Sequence, residues 1–139
     1  MAAVTENKLI TGKRFEDSRV SYPAADERLY QGTLAFLDAS TGYLTGDDNA
    51  GANKLAGIVI EECDNSAGSA GDLSCEVYTR GEFELVGSSF NQASVGDKIY
   101  AVDNYTTQAS ATSATLVGNA TEYISATKLT IDIAAGVLA

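Results

Sequence analysis

Short apolar runs separated by small polar clusters recur along residues 33–133, and the spacing within them is that of strands. Thr33-Leu34-Ala35-Phe36-Leu37 stands between Gly32 and the turn cluster Asp38-Ala39-Ser40-Thr41-Gly42. Residues 55–61 hold Ile58, Val59 and Ile60 in one run, the pattern of a strand buried on both faces. Leu73, Cys75, Val77 and Thr79 alternate with Ser74, Glu76, Tyr78 and Arg80, which predicts a half-exposed strand. Glu82–Val86 alternates again, residues 98–102 follow the turn Gly96-Asp97, and Leu129, Ile131 and Ile133 oppose Lys128, Thr130 and Asp132. No segment keeps a 3.6-residue period over three turns, although residues 88–94 suit one short helical turn. The expectation is an all-β domain over residues 29–139.

Residues 1–28 lack this order. Leu9, Ile10, Phe15, Val20 and Tyr22 are scattered among polar residues, and Tyr22 is held extended by Pro23. The stretch reads as an extended N-terminal arm, with one strand expected near residues 9–11. Within the body a weak internal echo appears: Leu34-Ala35-Phe36-Leu37-Asp38 leads to Leu55-Ala56-Gly57, as Ile99-Tyr100-Ala101-Val102-Asp103 leads to Leu116-Val117-Gly118. Two meanders folded alike would produce it.

Composition sharpens the division. With 139 residues, 45% apolar and 20% charged, the chain has the size and make-up of one globular domain. Its 13 Gly, single Pro and lack of Trp suit strands joined by small-residue turns. The net charge of −10 is uneven: residues 1–28 carry five bases and five acids, and residues 29–139 carry four bases and 14 acids. An acidic body repels phosphate backbones, so direct nucleic-acid binding is not expected. Neither a signal peptide nor an apolar run of membrane-spanning length is read here, so no membrane association is expected, and the protein is expected to stay in the compartment where it is made.

Candidate chemistry is sparse. Without histidine the chain lacks the usual general base, the usual partner of a Ser or Cys nucleophile and the commonest metal ligand. Cys63 and Cys75 have neither CxxC spacing nor a histidine partner, so neither a zinc site nor any other cofactor is expected. They flank a loop centred near Ser69, expected to be a flexible hairpin. A disulfide across it is conceivable, while a reducing cytosol favours free thiols. No glycine-rich loop suited to a nucleotide occurs. Glu61-Glu62 and the pair Glu82/Glu84 are the carboxylates on which a hydrolase would rely, and the latter share a strand face of the solvated kind. Asp47-Asp48-Asn49 opens like a calcium loop but lacks the closing Glu, and reads as a surface turn. A structural protein, not an enzyme, is the expectation.

The body resembles a known family through three stretches: Gly81-Glu82-Phe83-Glu84-Leu85, then Val95-Gly96-Asp97-Lys98-Ile99-Tyr100, then, after a Thr/Ala/Ser-rich loop, Leu116-Val117-Gly118. This order is similar to the small capsid decoration, or head cement, proteins of tailed bacteriophages. The resemblance covers residues 29–139 and departs after Gly118, where Asn119-Ala120-Thr121-Glu122-Tyr123 replaces a compact apolar strand. It implies a compact β-barrel or β-tulip-like domain, made in the host cytoplasm, that forms a homotrimer on the outer capsid surface of the virion and stabilises the head. It also implies an arm lying on the major capsid protein, for which Leu9, Ile10, Lys13, Arg14, Phe15, Arg19, Val20 and Tyr22 are the candidate contacts. Another multicopy virion element, such as a tail or fibre subunit, and a non-catalytic β-sandwich ligand-binding module are the alternatives.

Overall fold

Alternation along each strand sets which side chains are buried, and the computed structural model shows where those faces meet. It describes residues 3–14 and 18–139, and of Gly12–Arg14 the backbone alone. The strands are β1 (Gly12–Arg14), β2 (Arg19–Pro23), β3 (Arg28–Leu29), β4 (Leu34–Leu37), β5 (Leu44–Thr45), β6 (Lys54–Val59) and β7 (Cys63–Asp64). They continue as β8 (Ser74–Tyr78), β9 (Glu82–Val86), β10 (Lys98–Ala101), β11 (Thr107–Gln108), β12 (Leu116–Ser125) and β13 (Lys128–Asp132). A six-stranded sheet has the order β1-β9-β13-β12-β10-β11, a five-stranded sheet the order β2-β8-β6-β4-β5, and β3 pairs with β7 in a two-stranded sheet. The fold is all-β, as the patterning predicts. The barrel implied by the resemblance is not closed: the two edges of the five-stranded sheet meet only at the single parallel bridge Ala24↔Leu44, and the six-stranded sheet ends in β1 and β11.

The five-stranded sheet is the middle layer. Leu34, Phe36, Leu55 and Ile58 on one of its faces pack against Phe83, Leu85, Ile99, Val117, Leu129, Ile131 and Ile133 of the six-stranded side. Its other face presents Ala35, Leu44, Ala56, Val59, Cys75 and Val77 to Ala24 and Leu29 in a second, smaller core. That arrangement explains why residues 55–59 are all buried. Each large side chain buried this fully contributes about 1.5–3 kcal/mol relative to exposure. The turn expected within residues 88–94 is a 3-10 turn at Gln92–Ser94, where Asn91 Oδ1 accepts from the Ala93 N–H at 2.8 Å.

The internal echo is structural. β2, β4, β5, β6 and β8 occur in their sheet as β2-β8-β6-β4-β5, and β9, β10, β11, β12 and β13 occur as β9-β13-β12-β10-β11. The chain therefore repeats one five-strand connectivity. Both units carry a bulge at the same place: Ala56 is the extra residue between Phe36↔Leu55 and Ala35↔Gly57, and Val117 between Tyr100↔Leu116 and Ile99↔Gly118. These pairings correct the sequence alignment of the echo by one residue, since Ala35, not Leu34, matches Ile99. The glycine after each bulge is required by close approach. A Cβ on Gly57 would lie 2.0 Å from the Tyr78 carbonyl oxygen, and one on Gly118 would lie 2.0 Å from that of Asp132. The strand turns also match: Asp38 Oδ1 accepts from the Ser40 and Thr41 N–H groups, and Asp103 Oδ1 from those of Tyr105 and Thr106.

Two local expectations are corrected. Residues 63–75 are not a hairpin, because β7 pairs with β3 while β8 pairs with β2 and β6. The intervening loop is organised by the buried Asn65, whose side-chain amide donates to the carbonyl oxygens of Ala24, Ala25 and Ser69. Cys63 and Cys75, expected as thiols, form a disulfide with a Cα–Cα distance of 6.0 Å. It ties the two-stranded sheet to the five-stranded one.

Candidate functional site: the N-terminal segment and the sheet edges

The N-terminal segment lies along the body. The backbone of residues 3–11 is stitched to it at three points, the last where the Thr11 carbonyl oxygen accepts from the Glu84 N–H at 2.8 Å. Asn104, buried, accepts from the Val4 N–H through Oδ1 at 2.9 Å and donates from Nδ2 to the Val4 carbonyl oxygen at 3.2 Å. Farther along, the Lys8 N–H donates to the Gln31 carbonyl oxygen at 2.7 Å, and Asn7 Oδ1 accepts from the Gln31 N–H at 2.9 Å. The strand expected at residues 9–11 lies slightly later, as β1, paired with β9 through Gly12↔Phe83 and Arg14↔Glu82. Residues 19–23 form β2 on the edge of the middle sheet, and Ala24 is fully buried. Residues 18–28, assigned to the arm on sequence grounds, are thus part of the fold.

The eight candidate arm residues do not come together. Leu9 is 79% exposed and Val20 38% exposed. Ile10 is half-buried against the main core and Tyr22 against the smaller one. Arg19 lies over the Tyr78 ring at 5.5 Å. Lys13 and Arg14 have only their backbone described, and Phe15 falls outside the described residues. The other bases of the segment also contact tyrosines, with Lys8 over Tyr105 at 5.6 Å and Arg28 over Tyr30 at 5.4 Å. Cation–π contact thus seats three of the segment's bases, Lys8, Arg19 and Arg28, on tyrosines of the body. The asparagines that fasten the segment and the loop (Asn7, Asn65 and Asn104) carry no sequence signal, because a buried amide and a solvated one look alike in a turn-rich chain.

The carboxylates are distributed, not focused. A cleft of about 300 Å³ beside the disulfide is bordered by Arg19, Glu61, Glu62, Asp64 and Glu76. Glu62 is already engaged, accepting from the Asn7 amide at 2.6 Å and pairing with Arg28. Asp64 accepts from the Ser66 hydroxyl and N–H, and these bonds, the hydroxyl first, hold its carboxyl below the usual range. Glu82 and Glu84 share the half-exposed face of β9, as the alternation predicts, with Glu84 3.8 Å from Lys128. Asp47 and Asp48 sit in a turn where Asp47 Oδ1 accepts from the Asn49 N–H. Burial, then the neighbouring Asp47, pushes the Asp48 carboxyl up. Among the described residues no group of three or more His, Cys, Asp or Glu is disposed to hold a metal ion. No described helix is long and apolar enough to cross a membrane.

Comparison with protein-family models, with curated proteins and with solved structures finds no match for this chain. What its geometry offers chemically is exposed surface, with Leu9 pointing outward from the N-terminal segment.

Proposed function

We propose that this chain is a non-catalytic decoration protein that binds the outer surface of a bacteriophage capsid and stabilises it. The observation that carries the reading is the placement of the motifs behind the family resemblance. Val95-Gly96-Asp97-Lys98-Ile99-Tyr100 leads into β10, Leu116-Val117-Gly118 opens β12, and the two are hydrogen-bonded neighbours through Ile99↔Gly118. The resemblance is thus carried by one continuous patch of sheet.

Charge supports the same role. The acidic body keeps many copies soluble at high local density, while the balanced N-terminal segment presents an apolar contact at Leu9. The partner is the major capsid protein, met by the N-terminal segment, with three copies of the chain grouped on the shell so that modest contacts add through effective concentration.

Deletion of the whole of residues 1–28 would strip β1, β2 and the buried Ala24, so it does not test docking cleanly. Leu9→Asp does, because Leu9 is almost fully exposed. Purified protein mixed with shells of the major capsid protein encoded in the same genome should co-sediment to saturation. The Leu9→Asp chain should keep its own melting temperature and bind about tenfold or more weaker, as an interfacial anchor does. Absence of co-sedimentation by the wild-type chain would overturn the reading; unchanged binding by Leu9→Asp would remove the segment from it.

A further inference from the structure

We infer that the Cys63–Cys75 disulfide is a redox latch: a thiol reductant entering the cleft beside it opens the bond, and opening it loosens the N-terminal segment at Asn7 and Lys8.

The cleft is the route in. Its volume of about 300 Å³ adjoins both cysteines. Cys75 is 3% exposed and Cys63 is half-buried, so Cys63 is the sulfur open to attack. The carboxylates of Glu61, Glu62, Asp64 and Glu76 border the cleft, with Arg19 the one base among them. Such a rim disfavours an anionic reductant and admits a neutral one. The exchange is a two-electron step. A thiolate of a neutral dithiol attacks Cys63 Sγ, the S–S bond breaks, and Cys75 Sγ leaves as a thiolate. The second sulfur of the dithiol then displaces Cys63 Sγ and closes a cyclic disulfide, and the two protons of the dithiol end on the two cysteines.

What moves follows from what each cysteine is built into. Cys75 lies in β8, which is flanked by β2 and β6 in the five-stranded sheet. Cys63 lies in β7, a strand of two residues that pairs, among the described residues, with the two-residue β3 alone. A ribbon this short has little stability of its own. Unbonded sulfurs need van der Waals separation, so reduction pushes them apart, and the ribbon gives way before the sheet does. The displacement is confined. On one side the Ile60 N–H donates to the Glu76 carbonyl oxygen, and on the other the Asn65 N–H donates to that of Glu27, both at 3.1 Å. Residues 61–64 span the distance between these two fixed points.

Glu62 carries the movement to the segment. Its carboxylate pairs with Arg28 and accepts from the Asn7 side-chain amide at 2.6 Å. With Nδ2 held there, Asn7 Oδ1 is turned to accept from the Gln31 N–H at 2.9 Å. The next N–H, that of Lys8, donates to the Gln31 carbonyl oxygen at 2.7 Å. One asparagine thus joins the ribbon to the chain before Gly32, and the residue presented outward, Leu9, follows Lys8 directly. Exposed hydrogen bonds of this kind belong to the parts of a fold that open locally at low cost. The latch does not depend on a shell being the partner.

Amide hydrogen exchange of the purified chain, with and without about 10 mM dithiothreitol, a neutral dithiol, tests this. Reduction should speed exchange at Lys8 and Gln31 about tenfold or more, and low urea should not change the accelerated rates, the mark of a local opening. The double variant Cys63→Ser, Cys75→Ser should match the reduced chain without any dithiol. Asn7→Ala removes an exposed side chain and leaves the disulfide in place. In that variant both amides should exchange fast in either redox state, because the join between ribbon and segment is gone. A disulfide that resists the dithiol in the folded protein would overturn the inference. So would unchanged exchange at Lys8 and Gln31 on reduction, accelerated exchange that rises with urea as global unfolding does, or an Asn7→Ala chain in which reduction still gives the full effect.

Discussion

Asp38 accepts backbone hydrogen bonds from Ser40 and then Thr41, and these hold its carboxyl below the ordinary range. Asp48 is displaced the other way, by burial and then by the charge of Asp47. The two residues therefore load stability with opposite signs. A carboxyl whose folded pKa is depressed stabilises the fold above its unfolded value of about 3.9 and loses that contribution as pH falls through the folded value. A carboxyl whose folded pKa is raised costs nothing at low pH and becomes a penalty as pH rises through the folded value. Asp38→Ala should consequently lower the melting temperature at neutral pH, with the difference shrinking as the solution is acidified below the ordinary aspartate range. Asp48→Asn should raise it at neutral pH and converge with the wild type in acid. Melting curves over a pH series check both; a pH-independent difference for either variant would contradict its assignment. Single residues also mark where sequence reading ends. Asp38 was legible as a turn former, since aspartate in a small-residue cluster bonds to its own following backbone. Asn104 was not, because its partner is the backbone of Val4, 100 residues away.

At the scale of elements, the repeated meander depends on two glycines that allow backbone to approach backbone at a bulge. Gly57→Ala and Gly118→Ala each bring a methyl group within 2.0 Å of a carbonyl oxygen in the neighbouring strand. Each substitution should destabilise by about 1–3 kcal/mol, the usual cost of forced overpacking, read as a lower urea midpoint at unchanged slope. The disulfide closes a loop of 12 residues, for which chain-entropy reasoning expects a contribution of about 2–3 kcal/mol. The double variant Cys63→Ser, Cys75→Ser should lose that amount, and thiol labelling of the wild-type chain should need prior reduction. Labelling without reductant would contradict the pairing. Much at this scale was readable: β6, β8, β9, β10 and β13 follow directly from alternation and turn residues. The bridge between Cys63 and Cys75 is not legible in the sequence, since a redox argument from compartment says nothing of the geometry that brings β7 beside β8. The one-residue slip in the echo has a similar origin, because pairing register is set by the opposite strand and not by the order of residue types in one strand.

Over the whole molecule, the two larger sheets are built from one strand connectivity used twice, and the N-terminal segment supplies a strand to each of them. The all-β class was legible from periodicity alone. The open sheets were not, because closure depends on which edges meet, and an arm that packs onto its own body has the same sparse apolar pattern as one that waits for a partner. The acidic excess sits in residues 29–139, so association of the chain with itself should strengthen with added salt as copies repel less, an effect sedimentation across a salt series would register. The capsid reading is tested most directly by the thermal stability of the shell. Shells of the cognate major capsid protein should melt several degrees higher when saturated with the wild-type chain, and the shift should fall away with Leu9→Asp at matched concentration. Shells whose melting temperature is the same with and without saturating protein would contradict it.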